Sequence, residues 1–140
     1  MEKRDLIKDQ IEQFGRVLGK ILADFLGLKS SGLVEQGIEV ASEQLKSNFD
    51  IDIDELITLP IKELKRYLAE RKISTGHVEI LGKYLLEIGE SKISNDKKKA
   101  NLYLTRSLEL LDLEDELSNT ISFERQGLKS NIENMLRQCL

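Results

Sequence analysis

His77 is the first residue to consider for catalysis, because it is the only histidine in the 140 residues. A nucleophilic serine or cysteine needs a base and an orienting group beside it, so a Ser–His–acid site could be built only on His77. This residue follows Gly76 at the predicted start of a helix, where an exposed or first-turn histidine without a catalytic role is the simpler interpretation. Cys139 has no histidine near it in sequence and lies where chain ends fray, so a reactive thiol is not favoured. We predict no catalytic residue.

Three aspartates that alternate along the chain, Asp50, Asp52 and Asp54, could provide oxygen ligands for calcium. An EF-hand loop that begins at Asp50 requires glycine at its sixth position and glutamate at its twelfth. Glu55 and Ile61 occupy those two positions, so calcium binding is not predicted. A carboxylate is favourable at the N-terminus of a helix, and we therefore expect Asp52 or Asp54 to cap a short helical turn.

No other pattern in the sequence predicts a metal ion or a cofactor. Paired carboxylates such as Glu87 and Glu90 are frequent, but a helical two-metal site would need Glu-x-x-His, which the sequence does not contain. The pattern Gly15-x-x-x-Gly19 lies inside a predicted helix and does not follow a strand, which argues against a phosphate-binding loop. A single cysteine excludes both an intrachain disulfide and a cysteine-based zinc site. We predict no metal and no cofactor.

The elements that position these residues are predicted to be helices. Hydrophobic residues make up 40% of the chain and charged residues 33%, and there is one proline. The abundant leucine, glutamate and lysine side chains lose little freedom in a helix, while runs rich in valine, threonine and aromatic residues, which favour strands, are missing. A length of 140 residues suits one domain. We predict an all-α fold built as an antiparallel helical array.

Charge and hydropathy argue against two classes of partner. The formal net charge is −4, whereas a nucleic-acid-binding domain usually carries a basic face and an excess of basic residues. Short basic clusters at 97–99 and at Lys62, Lys65 and Arg66 are interpreted as solvated helix starts or faces, with a phosphate or acidic-partner site as the alternative. No apolar run approaches the ~20 residues that span a bilayer, and the first residues do not form a signal peptide. We predict a cytoplasmic protein that binds neither nucleic acid nor membrane.

Apolar spacing and turn residues divide the chain into four units. The predicted units are a helical hairpin at 6–49, a connector and short helix at 50–72, a second hairpin at 77–112 and a capping helix at 120–138. The first helix of the first hairpin is expected to end at Gly27, because glycine commonly ends helices. The second helix of the second hairpin is expected to begin at a capping Asn95 or Asp96.

Small residues recur at four-residue spacing in the first helix, at Gly15, Gly19 and Ala23. Each glycine inside a helix costs ~1 kcal/mol relative to alanine, so the stripe needs a reason. Close approach of another helix of the same chain is the favoured interpretation. A contact between two copies of the chain in a homodimer is the alternative.

The second hairpin carries small residues at the positions where its two helices would meet. The pattern consists of Leu81, Gly82, Leu85, Ile88, Gly89, Ala100, Leu104 and Ser107. It resembles a tetratricopeptide repeat, a family in which small residues let two helices interlock at short distance. Six additional residues at 91–96 and the absence of tryptophan depart from that family's pattern. The layout of the whole chain is also similar to that of a set of small bacterial helical proteins for which no activity is established.

The resemblance implies a protein-binding role for one face of the second hairpin. Its groove-facing residues would be Glu79, Lys83, Leu86 and Glu87. The family's carboxylate-clamp pattern expects lysine and asparagine where Glu79 and Lys83 stand, so recognition of a peptide C-terminus is not expected. A charge ladder at i, i+4 spacing is the alternative interpretation of Glu79, Lys83 and Glu87. We predict a non-enzymatic protein–protein interaction or scaffold module with tetratricopeptide-like hairpins and a protein partner; the alternative is a homodimeric regulatory or small-ligand-binding helical protein.

Overall fold

The computed structural model describes residues 3–140, with side chains from Ile7 onward. All regular elements in this range are α-helices. In chain order they are α1 (Lys3–Ser30), α2 (Val34–Phe49), α3 (Ile53–Thr58), α4 (Ile61–Glu70), α5 (His77–Lys92), α6 (Lys97–Ser118) and α7 (Phe123–Arg137). The end of α1 packs on the start of α2, and the end of α5 on the start of α6, so both pairs run antiparallel. The prediction of an all-α helical array is therefore confirmed.

The first helix continues through Gly27, and the prediction that it ends there is wrong. It ends at Ser30, because Gly32 has a φ of +80°, a left-handed conformation that glycine adopts without strain. The N–H of Leu33 then donates to the C=O of Leu28 at 2.8 Å, which is the bond expected after a glycine-terminated helix. Gly27 is an exposed position within the helix.

The second helix of the second hairpin, α6, extends to Ser118 instead of ending at Asp112. The acidic residues that follow Asp112 in sequence lie on this helix, and both Leu113 and Glu114 are buried. The apolar pattern does not reveal this because a buried glutamate occupies an inward position. The helix ends at Asn119, which has a φ of +55°.

Two of the predicted helix caps are present. The side chain of Asp52 accepts a hydrogen bond from the N–H of Glu55 at 3.1 Å and caps α3. Asp96 caps α6 in the same way, accepting from the N–H of Lys99 at 3.1 Å. Because each aspartate satisfies a backbone donor that the first turn leaves free, the acidic connector has a structural role.

The main core lies between the first hairpin and α5, and α3, α4 and part of α6 complete it. Phe25 of α1 packs edge-to-face on Tyr84 of α5, with 5.2 Å between the ring centroids. Phe14 meets Phe49 in the same manner at 5.0 Å. The first pair joins the two hairpins, and the second joins α1 to α2 within the first hairpin.

The small residues of the second hairpin allow α5 and α6 to interlock. A Cβ atom built at Gly89 would lie 2.7 Å from Cγ of Leu104, and one at Gly82 would lie 3.0 Å from Cδ2 of Leu111. The hydroxyl of Ser107 donates to the C=O of Gly82 at 2.6 Å. The predicted packing reason for these small residues is therefore confirmed, because larger side chains would push the two helices apart.

A second, separate apolar cluster lies on the other side of this hairpin, where α7 packs. Leu86 of α5 and Leu104 and Leu111 of α6 meet Ile132 of α7, and all four are buried. Leu128, Met135 and Leu136 of α7 are partly buried around them. The C-terminal helix thus covers one face of the α5–α6 hairpin, as a capping helix is expected to do.

Candidate functional site

His77 lies at the first position of α5, in the first turn as predicted. It is buried, so the alternative expectation of an exposed histidine is wrong. The N–H of Ser74 can only donate, so Nδ1 of His77 accepts from it at 3.0 Å. Nε2 must then carry the ring proton, and it donates to the C=O of Ile11 at 2.8 Å. Both ring nitrogens are used by the backbone, so this histidine joins α5 to α1 and is not available as a general base.

Glu114 is a buried carboxylate that the sequence does not single out. Its oxygens accept from the N–H of Gly76 at 2.8 and 3.1 Å and from the N–H of Glu79 at 3.2 Å. Gly76 precedes α5 and has no side chain that could cap it, so a residue from α6 satisfies the free donors and places a negative charge at the helix N-terminus. The one available signal was a predicted helix start without a capping side chain.

Arg106 is the second buried charge that sequence reasoning misses. Its guanidinium donates to the C=O of Leu56 at 2.5 Å and to the C=O of Leu59 at 2.6 Å, and it pairs with Glu109 at 2.9 Å. These two carbonyls lie at the end of α3, where the helix leaves its acceptors free. Arg106 therefore fixes the connector to α6 and has a structural role.

The four residues predicted as a partner-binding face are engaged within the chain, which corrects the expectation of an open groove. Leu86 is buried beneath α7, and Glu79 pairs with Arg125 of α7 at 2.9 Å. Lys83 pairs with Glu124 of α7 at 3.1 Å, while Glu87 accepts a bond from Lys29 of α1 at 2.7 Å. The sequence could not reveal this arrangement, because nothing in the hairpin's own pattern indicates which helix lies on it. The alternative interpretation as a charge ladder fits in part, since Lys83 and Glu79 are 3.5 Å apart.

A compact ionic network holds α7 against the hairpin. Arg125 is buried and pairs with Asp115 at 2.7 Å, and Lys129 pairs with Asp112 at 2.7 Å and also with Asp115. Burial acts to raise the pKa of Asp115, but the hydrogen bonds and positive charges of Lys129 and Arg125 outweigh it and hold the pKa below its ordinary value. The acidic side of this network belongs to the hairpin, and the basic side belongs to α7.

The small-residue stripe of α1 is divided between two environments. A Cβ atom at Gly15 would lie 3.8 Å from the imidazole of His77, which is ordinary contact. A Cβ atom at Gly19 would have no neighbour within 4 Å, and Ala23 is exposed. Close packing within the chain therefore explains neither glycine, and this favoured interpretation of the stripe is wrong.

The described residues offer little else that could perform chemistry. No group of three or more His, Cys, Asp or Glu side chains among them is arranged to hold a metal ion. The thiol of Cys139 packs at the edge of the second cluster and lies 3.5 Å from the C=O of Met135. Within the same part of the chain, no helix is both long and apolar enough to cross a membrane.

An apolar groove opens between the N-terminal half of α1 and the end of α4. It has a volume of about 450 Å³ and is lined by Ile7, Gln10, Ile11, Phe14, Ala69, Lys72, Ile73 and Ser74. Ile7 and Ile11 are 52% and 40% exposed on the α1 side. We call this feature the α1–α4 groove. Among the lining residues whose side chains the structure describes, most are apolar and Lys72 is charged.

Two further apolar side chains are exposed around the start of α7. Phe123 is 98% exposed at the first position of α7, and Ile121 is 77% exposed in the preceding turn. Arg125 ties this region to Glu79 in the first turn of α5. His77, two residues earlier, contacts Ile11 in the groove.

A cleft of mixed charge lies on a different side, between α2, the α3 region and the start of α6. It has a volume of about 480 Å³ and includes Lys92, Lys99, Asp54, Ser42 and Tyr103 among its lining residues. Lys92 pairs with Glu35 across it at 3.8 Å. Carboxylates and ammonium groups are interspersed, so the cleft has no single charge with which to select a ligand.

Comparisons with protein-family models, with curated proteins and with solved structures find no match to this chain.

Proposed function

We propose that this protein is a non-enzymatic protein–protein interaction module that receives an apolar segment of a partner in the α1–α4 groove. The observation that carries the proposal is the exposure of Ile7 and Ile11 on a helix whose opposite side is buried in the core. Scattered exposed aliphatic residues are common on protein surfaces. Here they share one concave site with Phe14 and Ile73, and such grooves are typical of helix-binding proteins.

Two further features support an interaction role over catalysis. The buried residues His77, Glu114 and Arg106 satisfy backbone groups, and buried Arg125 pairs with Asp115. None of the four lines the groove. The tetratricopeptide resemblance of the second hairpin points in the same direction, as a resemblance to a family of interaction domains. We expect the partner segment to be amphipathic, with aliphatic or aromatic residues spaced along one helical face.

The first part of the test captures the partner at the groove. A photoreactive benzoylphenylalanine replaces Gln10, which lines the groove, and in a control protein it replaces the exposed Glu39 of α2. In cells of the source organism, we expect a partner protein to become crosslinked to the chain that carries the photoreactive residue at position 10. The chain that carries it at position 39 should give no such crosslink. Identification by mass spectrometry then provides a partner that can be purified.

The second part measures the affinity of that purified partner. Ile11→Asp places a charge in the groove, and Ile61→Asp makes the same change at a residue of similar exposure on α4, outside the groove. We expect Ile11→Asp to weaken binding at least ~10-fold, because hot-spot residues contribute this much. Ile61→Asp should leave the affinity within ~2-fold. Equal affinities of the two variants, with unchanged circular dichroism, would refute the groove as the binding site.

The alternative prediction is a homodimeric regulatory or small-ligand-binding protein. It implies the molecular mass of two chains, whereas the interaction-module proposal implies the mass of one. Light scattering of the natural chain should give the monomer mass of 16.0 kDa if the interaction-module proposal is right and no self-association occurs. A mass of two chains that reverts to one in Gly19→Leu would instead favour the homodimer, since the Cβ of residue 19 meets no atom of its own chain.

A further inference from the structure

The face of the α5–α6 hairpin beneath α7 is an apolar surface in its own right. Leu86, Leu104 and Leu111 form its centre, and they belong to a cluster separate from the main core. Glu79, Asp112 and Asp115 form an acidic rim beside them. We call these six residues the α7-covered face. Because the main core lies elsewhere, uncovering this face does not require the core to open.

The contact that α7 makes with this face is limited. Of its 15 residues, only Arg125 and Ile132 are buried, while Leu128, Lys129, Met135 and Leu136 are partly buried. A short turn at 119–122 connects α7 to α6. Few residues of α7 are fully buried, so we expect this helix to open locally more readily than the helices of the main core.

The charges across the contact define what else could occupy the face. Arg125 and Lys129 lie one helical turn apart and meet the acidic rim, while Leu128 and Ile132 lie beside them over the leucines. Glu124, one residue before Arg125, pairs with Lys83 of α5. An occupant of this face therefore presents two cations at i and i+4 next to an apolar stripe. A helix with anions at those two positions would be repelled by the acidic rim.

We propose that the α7-covered face is a docking site for a cationic amphipathic helix of a protein partner, and that α7 is the intramolecular helix which such a partner displaces. The site would be closed in the free chain, and the affinity measured for the partner would be reduced by the fraction of time for which α7 is docked. This proposal uses a surface distinct from the α1–α4 groove and does not depend on binding there.

The test uses the full chain and a peptide of residues 119–140 as the probe helix. Ile132→Asp places a carboxylate against buried leucines and should release α7 while leaving the acceptor face unchanged. Fluorescence anisotropy under reducing conditions should show the labelled peptide binding to this variant at least ~10-fold more tightly than to the natural chain. If Ile132→Asp loses more helix than α7 alone contains, the variant has unfolded beyond α7. The double substitution Arg125→Glu and Lys129→Glu then serves as the releasing variant.

Charge recognition is tested with a second peptide that carries Arg125→Glu and Lys129→Glu. We expect it to bind the released chain at least ~10-fold more weakly, because it meets the acidic rim with like charges. A third peptide with Glu133→Gln and Asn134→Gln, which changes exposed positions of α7, is the matched control and should bind like the natural sequence. Equal binding of the natural and charge-reversed peptides would overturn the recognition of a cationic helix.

Two further measurements decide between occupants. Hydrogen exchange of the natural chain should show α7 less protected than α5 and α6; equal protection would overturn the displacement of α7. Light scattering of the natural chain should give the mass of one chain. A mass of two chains that reverts to one in Ile132→Asp would instead make α7 of a second copy the occupant and would overturn the assignment to a separate partner.

Discussion

Three buried polar residues of this protein bind its backbone. Glu114 binds main-chain groups at the start of α5, and Arg106 binds carbonyls at the end of α3. His77 binds the N–H of Ser74 before α5 and the C=O of Ile11 within α1. A buried donor or acceptor left without a partner costs ~1–3 kcal/mol, so these side chains determine which helices stay together. Their chemistry resembles that of catalytic residues only when the sequence is considered without its fold.

Replacing Glu114 tests this role at a single residue. Glu114→Ala leaves the N–H groups of Gly76 and Glu79 without their acceptor, and we expect a loss of ~2 kcal/mol in the free energy of unfolding. Glu116→Ala is the control, because Glu116 is exposed and pairs with the exposed Lys65; it should cost less than ~0.5 kcal/mol. Urea denaturation followed by circular dichroism measures both values. Similar losses in the two variants would show that the carboxylate of Glu114 does not cap α5.

At the scale of the helix, glycines with similar sequence surroundings have opposite structural roles. Gly89 lies where α5 crosses α6 and has no room for a methyl group. Gly19 also lies inside a helix, but its Cα faces open space. The contacts of the partner helix, which are absent from the sequence, decide which glycine is required.

Substitution by alanine separates the two glycines. Gly19→Ala should raise the free energy of unfolding by up to ~1 kcal/mol, because it removes a helix-weakening residue without creating a contact. Gly89→Ala should lower it by ~1–3 kcal/mol, because its Cβ would overlap the side chain of Leu104. Thermal and urea unfolding measure both changes. A loss of stability in Gly19→Ala would indicate a contact that the monomer does not contain.

The docking of α7 should depend on pH in the acidic range. The pKa of Asp115 is lowered in the folded chain, since Lys129 and Arg125 overcome the opposing effect of burial. A group with a lowered folded pKa stabilises the fold above its unfolded value of ~3.9 and loses that contribution as the pH falls through the folded value. We therefore expect protection of α7 amides from hydrogen exchange to be constant near neutral pH and to fall below about pH 4.

Two variants check that Asp115 causes this pH dependence. Asp115→Asn should reduce the protection of α7 at neutral pH and flatten its decline on acidification. Asp24→Asn is the control, since Asp24 pairs with the exposed Lys20 on α1 and should leave α7 unchanged. An unaltered acid profile in Asp115→Asn would assign the pH dependence to other carboxylates.

At the scale of the whole molecule, the first hairpin and α5 share one core. Phe25 is almost fully buried against Tyr84, and Phe49 contacts Phe14 nearby. His77 and Lys29 add polar contacts between α1 and α5 at opposite ends of their interface. We infer that α1 to α6 unfold as one cooperative unit, while α7 can open separately.

Truncation of the central aromatic tests this cooperativity. Phe25→Ala should lower the free energy of unfolding of the whole chain by ~3–5 kcal/mol, with a single shifted transition, because it leaves a cavity between the hairpins. Leu26→Ala changes the neighbouring residue, which is 38% exposed, and should cost less than ~1 kcal/mol. The measurement is urea denaturation followed by circular dichroism. A transition that leaves the second hairpin folded in Phe25→Ala would show two independent units.

Helices, caps and one packing motif could be predicted from local sequence, whereas the candidate site could not. The caps at Asp52 and Asp96 follow from short-range hydrogen bonding, and the interlock at Gly82 and Gly89 follows from side-chain size. The partner-binding face was predicted on the second hairpin, but Leu86 of that face lies under α7. The α1–α4 groove joins residues that are about 60 positions apart along the chain, and no periodicity within either helix indicates that they meet.

The sequence by itself determined that this chain is all-α, since helix propensity, apolar spacing and caps are properties of neighbouring residues. It also identified the α5–α6 hairpin, whose small residues act between helices joined by a short turn. Only the tertiary structure decided which faces remain open. The same leucines and carboxylates could face solvent, a partner or α7, and the choice depends on long-range packing and charge pairing that the local pattern does not encode. Only the tertiary structure therefore shows that His77 connects α5 to α1 and that the exposed apolar residues of α1 form the candidate binding site.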